Sequence, residues 1–240
     1  MPRFPIKSSE ITDNKVLITG DNFKHISKVL RLKPKNKLIL FDEKYNEHEG
    51  IIIFIGKNEI EIEIQKSKVN NKESNIDIHL YQSVPKGSKM DLIVQKTTEL
   101  GVKSITPIRT QRGIVQNTRK SPRWEKIVIE SCKQCGRSQL TKINEFLDYK
   151  NIKENITENS LNLLFFENEE KSLKEFLKNT NNNYQTINII VGPEGGFTQE
   201  EIEYAVNNKI NIVGLGPRIL RVETASIAAV TAIQFHFGDL

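Results

Sequence analysis

The chain has 240 residues, with 35 Lys or Arg against 30 Asp or Glu and a net charge of +5. That length suits one large domain or a small domain joined to a medium one, of which we favour two, and the slight positive excess tilts the expected partner toward a polyanion. Cys132 and Cys135 are too few for a disulfide framework, and neither a leader pattern nor an apolar run near the ~20 residues of a membrane span is present, so a soluble, cytoplasmic protein without a membrane partner is expected.

The first third is strand-rich. KVLIT, KLILFD, EGIIIFIG and NEIEIEIQ are short apolar or alternating runs, and Ile60, Ile62 and Ile64 alternate with Glu59, Glu61 and Glu63. This predicts a small half-buried sheet or barrel. A helical insert, DNFKHISKVLRL, carries Phe23, Ile26, Val29 and Leu30 at helical spacing, and the polar, aperiodic residues 66–75 are the expected linker. From Ile76 onward strands and helices alternate, the sign of a mostly parallel sheet covered by helices. IDIHLYQSV and VKSITPI read as strands around the helix KMDLIVQKTTEL, which Ser88 and Asp91 would cap and Gly101 would close. Ser121 and Pro122 open a helix through about Cys135. Then follow LNLLFF, a short helix over 173–177, INIIV, a helix from Gln199, INIVGLG and a terminal helix over 222–237, with surface loops expected at 151–160 and 179–183. Thr198 and Glu201 form a capping box, with Phe197 and Ile202 as its hydrophobic staple.

Two rigid loops, VGPEGGFTQEE at 191–201 and LGPRILRVETA at 215–225, each follow a strand and precede a helix. In a parallel sheet both would reach the same carboxyl edge, where ligands of such sheets sit. Their glycines let backbone groups approach a flat ring and their prolines limit freedom before binding. Neither has the lysine and hydroxyl of a phosphate loop, GLGPRI lacks the third glycine of a dinucleotide fingerprint, and Glu194 would repel a phosphate. A ligand without phosphates fits better; two plain turns without a ligand are the alternative.

These loops resemble the paired signatures of the RsmE-type ribosomal RNA uracil-N3 methyltransferases of the SPOUT class. DLIVQKTTELGVKSITPI, SCKQCGRS (with Ser131, Gln134 and Arg137 on the family's pattern) and, near the start, RF and HISKVLR extend the match over nearly the whole chain in the right order. The resemblance implies an α/β protein with an N-terminal PUA-like RNA-binding β-barrel over 1–70 and a C-terminal SPOUT methyltransferase domain over 75–240, its last segments passed through a trefoil knot. It implies a homodimer, S-adenosyl-L-methionine as cofactor, and as substrate N3 of one uridine of 16S rRNA in the decoding region of the small ribosomal subunit. Its cofactor contacts fall on Gly192, Gly195, Gly196, Leu215, Gly216, Ile219 and Leu220, with Thr224 close by.

Between Arg109 and Lys142 stand nine Lys or Arg and two acids, so the basicity is concentrated. On the helix from Ser121, Arg123, Lys126, Lys133 and Arg137 fall on one side and Trp124, Ile127, Val128, Ser131, Cys132 and Cys135 on the other. A solvated face is one reading and a phosphate backbone the other. With Arg112 and Arg119 just upstream, and Arg3, His25 and Arg31 near the start, RNA contact is preferred. The cysteines lie on the apolar face, and the four histidines lack metal spacing, so no metal is expected.

Uridine N3 must lose its imide proton before it can accept a methyl group, and the resulting negative charge spreads to O2 and O4. A guanidinium would stabilise it most in a water-poor pocket, which points to Arg221 ahead of Arg218. Glu223 is the preferred base, with Glu194 as the other carboxylate, either needing a raised pKa or a water; Glu223 could equally cap the last helix.

Overall fold

The structure, a computed structural model, describes the chain apart from residues 71, 116–120, 158 and 182. It divides into two units, Met1–Glu73 with Cys132–Leu140, and Ser74–Ser131 with Thr141–Leu240.

In the first unit the strands are β1 (Arg3–Pro5), β2 (Lys15–Ile18), β3 (Lys37–Phe41), β4 (Asn46–Ile55) and β5 (Ile60–Val69), joined after β2 by a short helix α1 (Gly20–Lys24). They form a half-barrel sheet in the order β1-β3-β4-β5-β2, parallel only between β1 and β3. The period-two pattern sorts as expected: Leu38, Leu40, Ile52, Ile60 and Ile62 are buried together with Phe4, Val16, Phe23 and Ile26. Two expectations need correction. Residues 66–69 are not linker but the end of β5, paired to β4. The helical insert does not keep its spacing, because His25–Val29 form a π-helical turn in which the Leu30 amide donates to the His25 carbonyl, five residues back, at 2.9 Å. The extra residue per turn rotates Val29 and Leu30 outward, to 69% and 39% exposure, while Ile26 stays buried.

The hairpin between β3 and β4 is built on one carboxylate. Asp42, 2% exposed, accepts from the amides of Lys44 and Asn46 at 2.9 Å each, from the Asn46 side chain at 3.1 Å and from His48 Nε2 at 3.2 Å. Burial alone would raise its pKa; the hydrogen bonds from Asn46, His48 and Lys44 outweigh that and hold it below the usual carboxylate range.

The second unit contains β6 (Asp77–Ser83), α2 (Lys89–Glu99), β7 (Ser104–Arg109), α3 (Ser121–Cys135), β8 (Lys142–Ile143), β9 (Leu147–Asp148), β10 (Leu161–Phe165), α4 (Leu173–Lys178), β11 (Thr186–Val191), α5 (Gln199–Asn207), β12 (Asn211–Val213) and α6 (Val222–Phe237), although the last turn of α3 belongs with the first unit. The sheet runs β12-β10-β11-β6-β7-β8, with β9 also beside β7, and every pairing is parallel. All of β10 and nearly all of β11 are buried, as expected of strands covered on both faces. Between the short strands and β10, Tyr149–Glu154 form a 3-10 helix that buries Tyr149 and Ile152, so within the expected 151–160 surface loop Ile152 is core while Asn151, Lys153 and Glu154 are exposed.

Helix α6 packs on α2 and β11 through polar as well as apolar groups. Ser226 Oγ donates to Gln82 Oε1, both side chains being fully buried, and Gln234 donates to the Leu100 carbonyl at 2.8 Å while accepting from Ser74 at 2.9 Å. The start of α2 departs from expectation: Ser88 makes no side-chain cap, and Asp91 instead accepts from Arg123 at 2.6 Å. The capping box of α5 forms as read, with Glu201 accepting from the Thr198 amide at 2.9 Å and Phe197 buried near Ile202. Glu201 is 4% exposed and also accepts from the Gln111 amide at 2.8 Å, so one carboxylate ties the loop after β7 to the start of α5.

Asp42→Asn should lower the unfolding free energy by about 1–3 kcal/mol at pH 7, measured by urea titration. Because the folded pKa is depressed, that contribution is present above the unfolded value of about 4 and fades as pH falls through the folded one, so the deficit should narrow in acid. Glu201→Ala should cost about 2–3 kcal/mol, against about 1 kcal/mol for Ser172→Ala in the exposed capping box of α4.

Candidate active site

Strands β10, β11 and β12 end level with one another: Phe165 is in register with Val191 on one side and Val213 on the other. The segments that follow these three strands therefore leave the sheet at one edge, and between them lies an open cleft. Gly192, Pro193 and Gly196 form one wall, and Leu215, Gly216, Arg218 and Leu220 the other. Phe165, Phe166 and Glu167 form the floor, and Val222 and Ala225 of α6 close the side. The lining is mostly apolar with a few polar groups, as the lining of small-molecule sites usually is.

Two glycines are required by backbone shape. Gly196 has φ +68°, and a side chain there would also collide with the Glu167 carboxylate. Gly216 has φ +102°, and the space where its side chain would point is open. The second loop thus presents bare backbone to the cleft.

Long side chains hold the loops in place. Arg112 Nη1 donates to the Gly195 carbonyl at 3.0 Å and to the Phe197 carbonyl at 3.3 Å. Lys89, at the start of α2, lies 3.2 Å from Glu194 and 3.9 Å from Glu223, so one ammonium faces both candidate bases. Burial would raise the Glu194 pKa, but its own amide, the Lys86 amide and Lys89 hold it below the usual range. That is the opposite of the raised value a base at neutral pH would need. Glu223 has 15% of its side chain exposed, its Oε2 is buried without a hydrogen bond, and α6 has no side-chain cap.

Of the expected cofactor residues, Gly192, Gly196, Leu215, Gly216 and Leu220 line the cleft, whereas Gly195, Ile219 and Thr224 do not, Ile219 being 85% exposed. Of the two arginines, Arg218 lines the cleft and Arg221 is exposed at the start of α6. Sequence reasoning missed Phe165, Phe166, Glu167 and Lys89; the first three end or follow a strand, β10, whose place in the sheet gives them their importance.

The basic residues separate into two kinds. Arg123 is exposed on α3, Arg112 holds the glycine loop, and Arg31 is exposed in the first unit with φ +51°. His25 packs edge-on against Phe4 at 5.6 Å, and Lys133 lies 4.8 Å over the same ring. Arg3 and Arg137 are turned inward. Arg137 is 4% exposed, beyond the end of α3, and pairs with Glu73 at 2.9 Å. Arg3 pairs with Glu47 and donates to the Gly136 carbonyl at 3.0 Å. The expected basic stripe therefore loses its last member to an internal carboxylate. Arg119 lies outside the described residues. Cys132 is buried and Cys135 half-buried, neither joined in a disulfide. Among the described residues no group of three or more His, Cys, Asp or Glu is placed to hold a metal ion, and no helix is long and apolar enough to cross a membrane.

The family model of the RNA methyltransferase domain matches residues 72–234, and that of the RNA methyltransferase PUA domain matches residues 18–65. The ribosomal RNA small subunit methyltransferase E of Buchnera aphidicola subsp. Schizaphis graminum is 37% identical over 100% of this chain and 98% of its own length. Two solved structures superpose with TM-scores of 0.90. One is the ribosomal RNA small subunit methyltransferase E of Neisseria gonorrhoeae bound to S-adenosyl methionine, 33% identical and covering 100% of this chain and 99% of its own. The other is a methyltransferase of Legionella pneumophila in complex with the same cofactor, 30% identical and covering 99% and 98%. With both halves matched and the likeness running end to end, the chain belongs to the ribosomal RNA small subunit methyltransferase E family.

Proposed function

We propose that this protein binds S-adenosyl-L-methionine in the cleft between its two glycine loops and methylates N3 of a uridine in the decoding region of 16S rRNA. The observation that carries this reading is the convergence of both loops on one small-molecule cleft. Bound there, S-adenosylmethionine supplies an electrophilic methyl group. The cleft suits it: bare backbone at Gly216 can meet a flat purine, and Phe165, Val191 and Leu220 shield it from water.

Deprotonated uracil carries its charge on O2 and O4. Arg221 is the guanidinium assigned to it, with Arg218 beside it facing the cleft. Glu223 accepts the N3 proton; its Oε2 has no hydrogen bond to another group of the protein, unlike Glu194, which is committed to Lys86 and Lys89. Lys89 is then a positioning residue for both carboxylates. The imide edge is paired inside an RNA helix, so the target uridine must be presented unpaired or flipped out. Arg123, Lys126, Arg31 and His25 are the side chains we assign to holding the RNA, together with Arg119; Arg112 and Lys133 contribute alongside their internal contacts.

The reading extends to a trefoil-knotted passage of the last segments, a homodimer and a cytoplasmic site of action. Support for the dimer is the outward face of α6, where Phe235 is 76% exposed beside half-buried Ala228 and Ala232.

Calorimetry should show S-adenosylhomocysteine binding to the wild type, and mass spectrometry one added methyl on a uridine of small-subunit rRNA. RNA binding that ignores the cofactor, with no methyl added, would point to a non-catalytic RNA-binding factor instead. Arg221→Ala should lower kcat by about 10²-fold and Glu223→Gln by about 10²-fold or more, with cofactor affinity nearly unchanged. Arg123→Ala with Lys126→Ala should weaken RNA binding and reduce the slope of log K against log salt by about 2, leaving cofactor binding intact.

A further inference from the structure

We propose that Glu167 is the group that recognises the ribose of the cofactor, its carboxylate accepting hydrogen bonds from the two vicinal hydroxyls. The assignment rests on the cofactor reading above and adds a residue to it that neither glycine loop contains.

Strand β10 lies between β12 and β11, so the residues that follow it emerge between the two loops. Glu167 is the second residue past the strand and lines the cleft together with Gly196, Gly216 and Arg218. Its carboxylate sits against the Cα of Gly196, where any side chain would strike it, so the glycine leaves room for the acid as well as allowing the turn. Neighbouring acids are occupied: Glu169 accepts from the Lys171 amide at 3.0 Å, Glu194 from Lys86 and Lys89, and Glu201 from Thr198 and Gln111. Among the described residues Glu167 forms no hydrogen bond or ion pair of its own, and so its acceptor capacity faces the cleft.

The chemistry that suits such a carboxylate is a pair of adjacent hydroxyl donors. An acid at the carboxyl end of a parallel strand, next to a glycine-rich loop, is well placed for this, because the loop fixes the base while the acid reads the sugar. A hydroxyl bonded to an ionised acceptor forms a short, strong bond. The same negative charge disfavours a phosphorylated sugar, consistent with a site for a nucleoside without phosphates.

The test is calorimetric and independent of turnover. Wild type, Glu167→Gln and Glu167→Ala would be titrated with S-adenosylhomocysteine, methylthioadenosine and the 2′,3′-dideoxy form of methylthioadenosine, with near-ultraviolet circular dichroism confirming the fold of each variant. We expect Glu167→Gln to weaken the first two ligands about tenfold and Glu167→Ala at least as much, while both variants bind the dideoxy ligand as the wild type does. Equal loss for the ribose and dideoxy ligands, or no loss for either, overturns the ribose assignment and leaves the cofactor reading standing. A wild type that binds none of the three ligands overturns the cofactor reading, and this assignment with it.

Discussion

The level ending of three parallel strands is the constraint on which the rest of the site depends. Because β10, β11 and β12 share a register at Phe165, Val191 and Val213, three separate chain segments are delivered to one point with their backbones already side by side. A one-residue slip of β11 against β10 would move the first glycine loop by about 3.3 Å along the strand direction and open the cleft. Burial on both faces guards against that slip. β10 is wholly buried, and Asn162 and Asn188 hydrogen-bond to each other at 2.7 Å inside the sheet, where a shifted strand would leave them without partners.

Around that edge, a few long side chains replace what regular structure cannot supply. Loops of glycine and proline have little packing of their own, so their position is set from outside: Arg112 on two carbonyls of the first loop, Glu201 on amides from two separate segments, and Lys89 between two carboxylates. Each is a charged group that meets two polar partners at once, so a single side chain fixes two points of the chain. The arrangement leaves the cleft itself lined mostly by backbone and apolar groups, with Glu167 as the carboxylate and Arg218 as the cation on its lining.

Much of this was legible in the chain. The glycine loops declare themselves because φ requirements and capping are local: Gly196, Gly216, Thr198 and Glu201 each do what their immediate neighbours demand. Period-two alternation likewise placed Ile60 and Ile62 in the core of the first unit. What could not be read depends on partners remote in sequence. Arg137 looked like one more cation on a basic face, but its carboxylate, Glu73, stands 64 residues away. Glu167 carries no local signal in the chain, and only the strand order sets it between two loops. Ser88 had the right spacing to cap α2, yet Asp91 found Arg123, 32 residues on.

The π-helical turn at His25–Val29 carries a consequence for the family's lengths. A helix wound this loosely holds one more residue than its span requires, so a relative lacking a residue here could rewind to the ordinary pitch and still deliver Phe23 to the core and Leu38 to its strand. Relatives would then differ by a single gap at this turn while the sheet around it stayed unchanged. Matching such chains by hydrophobic spacing alone would misplace Val29 and Leu30, whose outward orientation belongs to the wider turn.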